Sequence, residues 1–245
     1  MCGRFGLPGD HTAMKNAFDI PTDTNDHVEW DTLMPRYNIA PTDQIPVIVE
    51  KNGQRSVESM RWGLIPFHAA DLRGRSVLDT NGKSVNTPIN ARAETVHSNG
   101  IFKHSFKKRR CLIPSGGFYE WKRDGTRKHP QWVHLEDHSW MGFAGLYNWW
   151  KSPSADWILS CTIITTIPNS FMEPIHNRMP VILTKGTYDL WLSPDSADLS
   201  ELKEVLVPYP TGEMQSHPVS NLVNKVGNDG PELMASFSNP RSKLR

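Results

Sequence analysis

The chain has 245 residues, with 27 Lys and Arg against 26 Asp and Glu and a formal charge of +1. That balance excludes a histone-like basic protein and an acidic tail, so any nucleic-acid surface must be local. With 38% hydrophobic and 22% charged residues the composition is globular rather than disordered, and no apolar run approaches the ~18 residues of a membrane helix.

In chain order, Met1-Cys2-Gly3-Arg4-Phe5 lacks the apolar core of a signal peptide, which predicts a cytoplasmic protein with no membrane partner. Helical spacing follows at 12–18. Short apolar runs bounded by Gly, Pro and polar residues predict strands at 45–49, 57–64, 110–113, 131–135, 140–150, 158–164 and 179–183. Residues 71–87 are polar and carry Gly, Ser and Asn, so they read as a surface insertion. The basic run 103–110 reads as the charged face of a helix that begins near Ala93 and buries Phe102 and Phe106. Two more helices are predicted at 188–192 and 199–205, the second capped by Asp198 or Ser196. The segment 236–245 reads as a frayed tail. No repeat and no linker interrupts the pattern, so a single α+β domain of antiparallel strands with peripheral helices is expected over residues 2–235.

The three cysteines are Cys2, Cys111 and Cys161. An odd count, wide spacing and no CxxC pair argue against a disulfide framework and a zinc site. Cys111 and Cys161 fall in strand-like runs and are expected to be buried structural residues. No nucleotide-binding glycine loop is present, so no metal and no cofactor is expected.

Cys2 is different. A residue this small after the initiator favours removal of Met1, which makes Cys2 the N-terminus. Amine and thiol then stand on adjacent carbons, and such a 1,2-aminothiol condenses with an aldehyde to an imine and closes through sulfur to a thiazolidine. With an amine near pKa ~7.8 and a thiol near ~8.5, about a tenth of the amine is neutral at pH 7 and only a few per cent of the thiol is thiolate. The reaction therefore calls for acid–base partners.

Four segments supply residues of that kind. Pro88-Ile89-Asn90-Ala91-Arg92-Ala93-Glu94-Thr95 carries an amide, a guanidinium and a carboxylate. Gly116-Gly117-Phe118-Tyr119-Glu120-Trp121 sets a carboxylate among aromatics after a glycine pair that permits close backbone approach. Pro174-Ile175-His176-Asn177-Arg178-Met179-Pro180 presents a His and an Arg, and Arg36-Tyr37-Asn38-Ile39-Ala40-Pro41-Thr42 is the fourth. Together with the first five residues they resemble, in order, the SRAP family, the SOS response-associated peptidase proteins. The resemblance extends to about Leu233 through His217-Pro218-Val219-Ser220 and Val226-Gly227-Asn228.

The resemblance implies an SRAP-type α+β domain with a barrel-like antiparallel core. It implies an enzyme that recognises abasic sites in single-stranded DNA, replication-fork junctions included, and joins to them as a thiazolidine through Cys2, shielding the lesion. Cys2 would be the nucleophile, amine first and thiol second. Asn90 would hold the sugar ring-opened or orient Cys2. Glu120 would manage protons on the amine and imine, with Phe118, Tyr119 and Trp121 desolvating it. His176 would shuttle the proton of the opening sugar and protonate sulfur when the linkage reverses. The imine also acidifies the adjacent C–H, which makes strand-cleaving β-elimination a side reaction.

For DNA contacts, Arg4, Arg92 and Arg178 are expected at phosphates, with Arg36 and Arg61 as similar candidates. Pro41 and Trp62 are expected as an apolar platform or wedge, although Trp62 equally suits the core. The basic run 103–110 adds a general attraction for DNA. Nothing demands more than a monomer. Two other readings stay open: a thiol peptidase built on Cys2 and His176 that also acts on its own Met1–Cys2 bond, and a non-catalytic single-strand binding module.

Overall fold

Runs of β-branched and aromatic residues bounded by turn formers become strands because branched side chains pack well on a pleated surface. The computed structural model describes residues 2–22, 28–79, 81–193 and 198–237. Five strands close on one another: Gln44–Lys51, Gln54–Trp62, Arg110–Ser115, Met141–Lys151 and Trp157–Thr166. Four of the five pairings are antiparallel; the ring closes through a parallel pairing of Trp157–Thr166 with Gln54–Trp62, where Ser160 lies opposite Arg61 and Cys161 opposite Trp62. Closure leaves these strands without free edges and encloses one apolar interior. The barrel-like core implied by the family resemblance is therefore present.

A second antiparallel sheet lies beside the barrel, in the order Met214–Pro218, Arg127–Leu135, Gly117–Asp124, Phe5–Leu7, Arg36–Ile39. Phe5 joins it to the barrel, its ring 5.2 Å from Trp62 and 6.1 Å from Phe143, and Phe118 adds a third edge-on contact at 6.0 Å from Phe143. The glycine pair is what allows this approach. A Cβ on Gly117 would stand 2.2 Å from the Trp132 ring, and one on Gly116 would stand 2.6 Å from Pro8. Four strands of this sheet are read in the sequence only as motifs or not at all, because each is short or interrupted by charge.

Elsewhere the structure redraws the expected elements. Residues 71–87 form a small sheet of their own, Asp71–Arg73, Ser76–Leu78 and Ser84–Asn86. Each strand is only three residues long, and Val77 is the one buried side chain in them, so no sustained apolar pattern marks them. No helix begins near Ala93. That stretch is turns, and the helix spans only Lys103–Lys108, though Phe102 and Phe106 are buried as expected. It ends where Arg110 turns inward to donate to the carbonyls of Phe106 (2.9 Å), Lys107 (2.6 Å) and Trp191 (2.7 Å). The strand expected at 179–183 is two, Met179–Pro180 and Ile182–Leu183, on different partners. Helices His11–Ala17, Tyr188–Leu192 and Leu199–Glu204 stand where spacing predicts them. Asp198 caps the last by accepting from the Ser200 N–H at 3.1 Å; Ser196 and residues 238–245 lie outside the described residues. Cys111 and Cys161 are fully buried. No described helix is long and apolar enough to cross a membrane.

Candidate active site

Cys2 precedes strand Phe5–Leu7 and is completely buried. The register Phe5 opposite Phe118 fixes the next strand, and the Tyr119 N–H donates to the Arg4 carbonyl at 3.0 Å. Along Gly117–Asp124 side chains alternate between faces. Phe118 and Glu120 therefore share the inner face, and Glu120 is 2% exposed. Tyr119 and Trp121 point the other way and pack with Trp132, Val219 and Val223. This corrects the expectation that all three aromatics surround Glu120: strand alternation sends two of them to the opposite face.

Asn90 opens the strand Asn90–Arg92, which runs parallel to Trp157–Thr166 with Asn90 opposite Ile163. Its Nδ2 donates to the Cys2 carbonyl at 3.0 Å, while its Oδ1 is buried with no hydrogen-bond partner among the described residues. A buried acceptor left open in this way marks a place for a donor.

His176 sits in the loop between Trp157–Thr166 and Met179–Pro180. Its Nδ1 lies 3.0 Å from the Arg178 backbone nitrogen and 3.2 Å from the Arg178 carbonyl oxygen, which leaves Nε2 as the ring nitrogen that faces Glu120. Nε2 lies 4.0 Å from Glu120 Oε2, too far for a direct hydrogen bond and near enough for one bridging oxygen. Burial, and then the negative charge of Glu120, push the Cys2 thiol well above the usual thiol range. Cys2, Asn90, Glu120 and His176 are thus brought together from four separated segments. Among the described residues no group of three His, Cys, Asp or Glu side chains is placed to hold a metal ion.

The motif arginines mostly face inward. Arg178 forks onto Glu94, Nη1 to Oε1 at 2.5 Å and Nη2 to Oε2 at 3.0 Å, and also donates to the Thr165 carbonyl at 2.6 Å. That hydrogen bonding holds the Glu94 carboxyl below the usual carboxylate range. The pair ties the His176 loop to the turn after Asn90. Glu94 received no role from the sequence, although opposite charges in two chemistry-bearing motifs were a usable signal. Arg4 donates to Asn38 Oδ1 (2.7 Å) and the Val223 carbonyl (2.8 Å). Arg36 pairs with Asp43 and Asp229, and Arg61 is buried, donating to the Gly63 carbonyl at 2.8 Å and to that of Gly74. Arg92 alone of these five is exposed. Pro41 is buried, and Trp62 is fully buried with its indole N–H on the Ile89 carbonyl at 3.0 Å. Of the two roles weighed for Trp62, the core is the one it occupies.

Residues 1–226 match the sequence profile of the SOS response associated peptidase (SRAP) family. A Bacillus subtilis protein named abasic site processing protein YoqW is 38% identical over 237 residues, covering 96% of this chain and all of the relative. The Saccharomyces cerevisiae abasic site processing protein YMR114C is 30% identical, with 96% of this chain and 67% of the relative covered. Among solved structures, a Bacteroides thetaiotaomicron protein superposes with a TM-score of 0.83 at 24% identity, covering 97% of this chain and all of that one, which shows the shared fold.

Proposed function

This chain belongs to the SOS response associated peptidase family, and we propose that it captures abasic sites in single-stranded DNA as a thiazolidine through Cys2 once Met1 is removed. The observation that carries this reading is the convergence of Cys2, Asn90, Glu120 and His176, with the Asn90 amide on the Cys2 carbonyl and the Glu120 charge acting on the Cys2 thiol.

The neutral amine attacks the aldehyde carbon of the ring-opened sugar, the carbonyl oxygen leaves as water, and an imine remains. The sulfur then bonds to the imine carbon while the thiol proton passes to nitrogen, so the adduct weighs protein plus DNA minus one water. A thiol held protonated by burial makes the amine the first nucleophile, consistent with this order. Glu120 accepts a proton from the amine and returns it to the departing oxygen. His176, whose Nε2 faces Glu120, donates a proton to the sugar ring oxygen as it opens. Asn90 Oδ1, without a hydrogen-bond partner among the described residues, receives a donor from the Cys2 amine or a sugar hydroxyl. Exposed Arg92 serves a flanking phosphate, whereas Arg4 and Arg178 act as positioning residues through their internal bonds. The names of the relatives support an abasic-site substrate.

A raised thiol pKa opposes the thiolate that a Cys2 peptidase would use. The test is intact-mass spectrometry after incubation with a single-stranded oligonucleotide carrying one abasic site. A Met1-free protein should give a heat-stable adduct one water lighter than the sum, and Cys2→Ala should abolish it. A processed protein with no adduct overturns the reading.

A further inference from the structure

At the other end of strand Trp157–Thr166 from Asn90's partner Ile163 lies a surface that the reaction does not use. Trp157 and Ile163 are separated along the strand by ~20 Å at ~3.3 Å per residue. Here Phe67, Trp149 and Trp157 are 72%, 40% and 63% exposed. They line a cleft of about 630 Å³ together with Arg109 and Lys151, and Phe67 and Arg109 also line an adjoining cleft of about 550 Å³ that reaches Lys103. Neither cleft is lined by an Asp or Glu.

The surface is built rather than accidental. The loop that presents Phe67 is fastened to the barrel at both ends, by Asn148 Nδ2 on the Ile65 carbonyl (3.0 Å) and by the Trp150 indole N–H on the Ala69 carbonyl (2.8 Å). Arg109 is fixed by donating to Asn148 Oδ1, and the Lys151 ammonium stands 5.8 Å from the Trp157 ring centroid. Open aromatic rings interleaved with cations, and no anion between them, are complementary to one class of ligand: a flexible polyanion whose flat apolar groups can stack. In a chain of net charge +1, such one-signed crowding is local rather than a reflection of overall charge.

We propose that this cleft is a second contact surface for single-stranded nucleic acid, gripping the strand several nucleotides away from Cys2 by stacking bases on Trp149, Trp157 and Phe67 while Lys103, Arg109 and Lys151 meet phosphates. The proposal rests on the DNA-processing reading only for the identity of the strand; binding to the cleft needs no abasic site and no Cys2.

The experiment is fluorescence anisotropy with undamaged single-stranded oligonucleotides of about 20 and about 3 nucleotides, a length that spans both ends and one that does not. Wild-type protein should bind the long strand more tightly, and Trp149→Ala with Trp157→Ala, both exposed and tolerant of truncation, should weaken that binding about tenfold. Lys103→Gln and Lys151→Gln should each flatten the dependence of log K on log salt by about 0.7. A length advantage that survives the tryptophan variant overturns the proposal. So does a variant that binds DNA normally but loses self-association in sedimentation velocity, which would assign the cleft to a second copy of the chain. Failure of adduct formation with unchanged long-strand binding would instead count against the Cys2 chemistry alone.

Discussion

The two ends of strand Trp157–Thr166 are made on opposite plans. Near Ile163 the polar groups are tied to one another around the buried Cys2 and Glu120: Asn90 to Cys2, His176 to Arg178, Arg178 to Glu94 and Thr165. Near Trp157 large apolar rings stand open beside cations. A reaction centre gains from fixed geometry, because orientation set in advance is not lost again at each turnover. A gripping surface gains from flat, tolerant contacts that accept any base. If both proposals hold, chemistry and affinity occupy separable parts of the molecule, and each is open to attack without the other.

The sharpest break should come from Glu120→Gln. Removing the acid–base group is expected to slow adduct formation by about 10²-fold or more, measured by single-turnover gel shift, while anisotropy with undamaged long oligonucleotides stays unchanged. A parallel loss of long-strand affinity would show that the two ends are not separable. Gly117→Ala should follow. Its Cβ would collide with the Trp132 ring at 2.2 Å, costing about 1–3 kcal/mol of stability by urea denaturation and displacing the strand that carries Glu120.

The buried half of the comparison can also be read from pH. All three cysteine thiols are raised above their usual value, chiefly by burial. A group raised in the folded state contributes stability that is complete below its unfolded pKa of ~8.5 and is lost as pH rises toward the folded value. Stability should therefore decline above about pH 8.5, by about 1.4 kcal/mol per pH unit for each thiol. Cys161→Ala should remove one such share, seen in urea midpoints collected from pH 8 to pH 10. A pH slope identical to wild type would mean that Cys161 is not held protonated. The smallest effect belongs to the open end, where a single Lys151→Gln should shift only the salt dependence of strand binding.

Much of this was legible in advance. The aminothiol logic of Cys2 and the close approach at the glycine pair follow from residue chemistry and local order, whereas Asn90, Glu120 and His176 were picked out by the resemblance of their motifs to the SRAP family. The five barrel strands were visible as apolar runs bounded by turn formers, most clearly in the β-branched Gln44–Lys51 and Trp157–Thr166. The small sheet within 71–87 was not, since its strands bury almost nothing. Nor was the direction of Tyr119 and Trp121, which depends on which face of the strand meets the barrel.

The sequence by itself determined which reactive groups the chain owns, because thiol, amide, carboxylate and imidazole are properties of side chains and their order. The tertiary structure alone decided which charged and aromatic groups remain available. Arg4, Arg36, Arg61 and Arg178 look alike in sequence to Arg92, and Trp62 looks like Trp157. An inward guanidinium is spent on carbonyls and carboxylates contributed by segments far along the chain, and an indole is buried or bare according to the packing of the whole barrel. Those partners are fixed by closure of the sheets, a long-range event to which no local pattern of residues gives access.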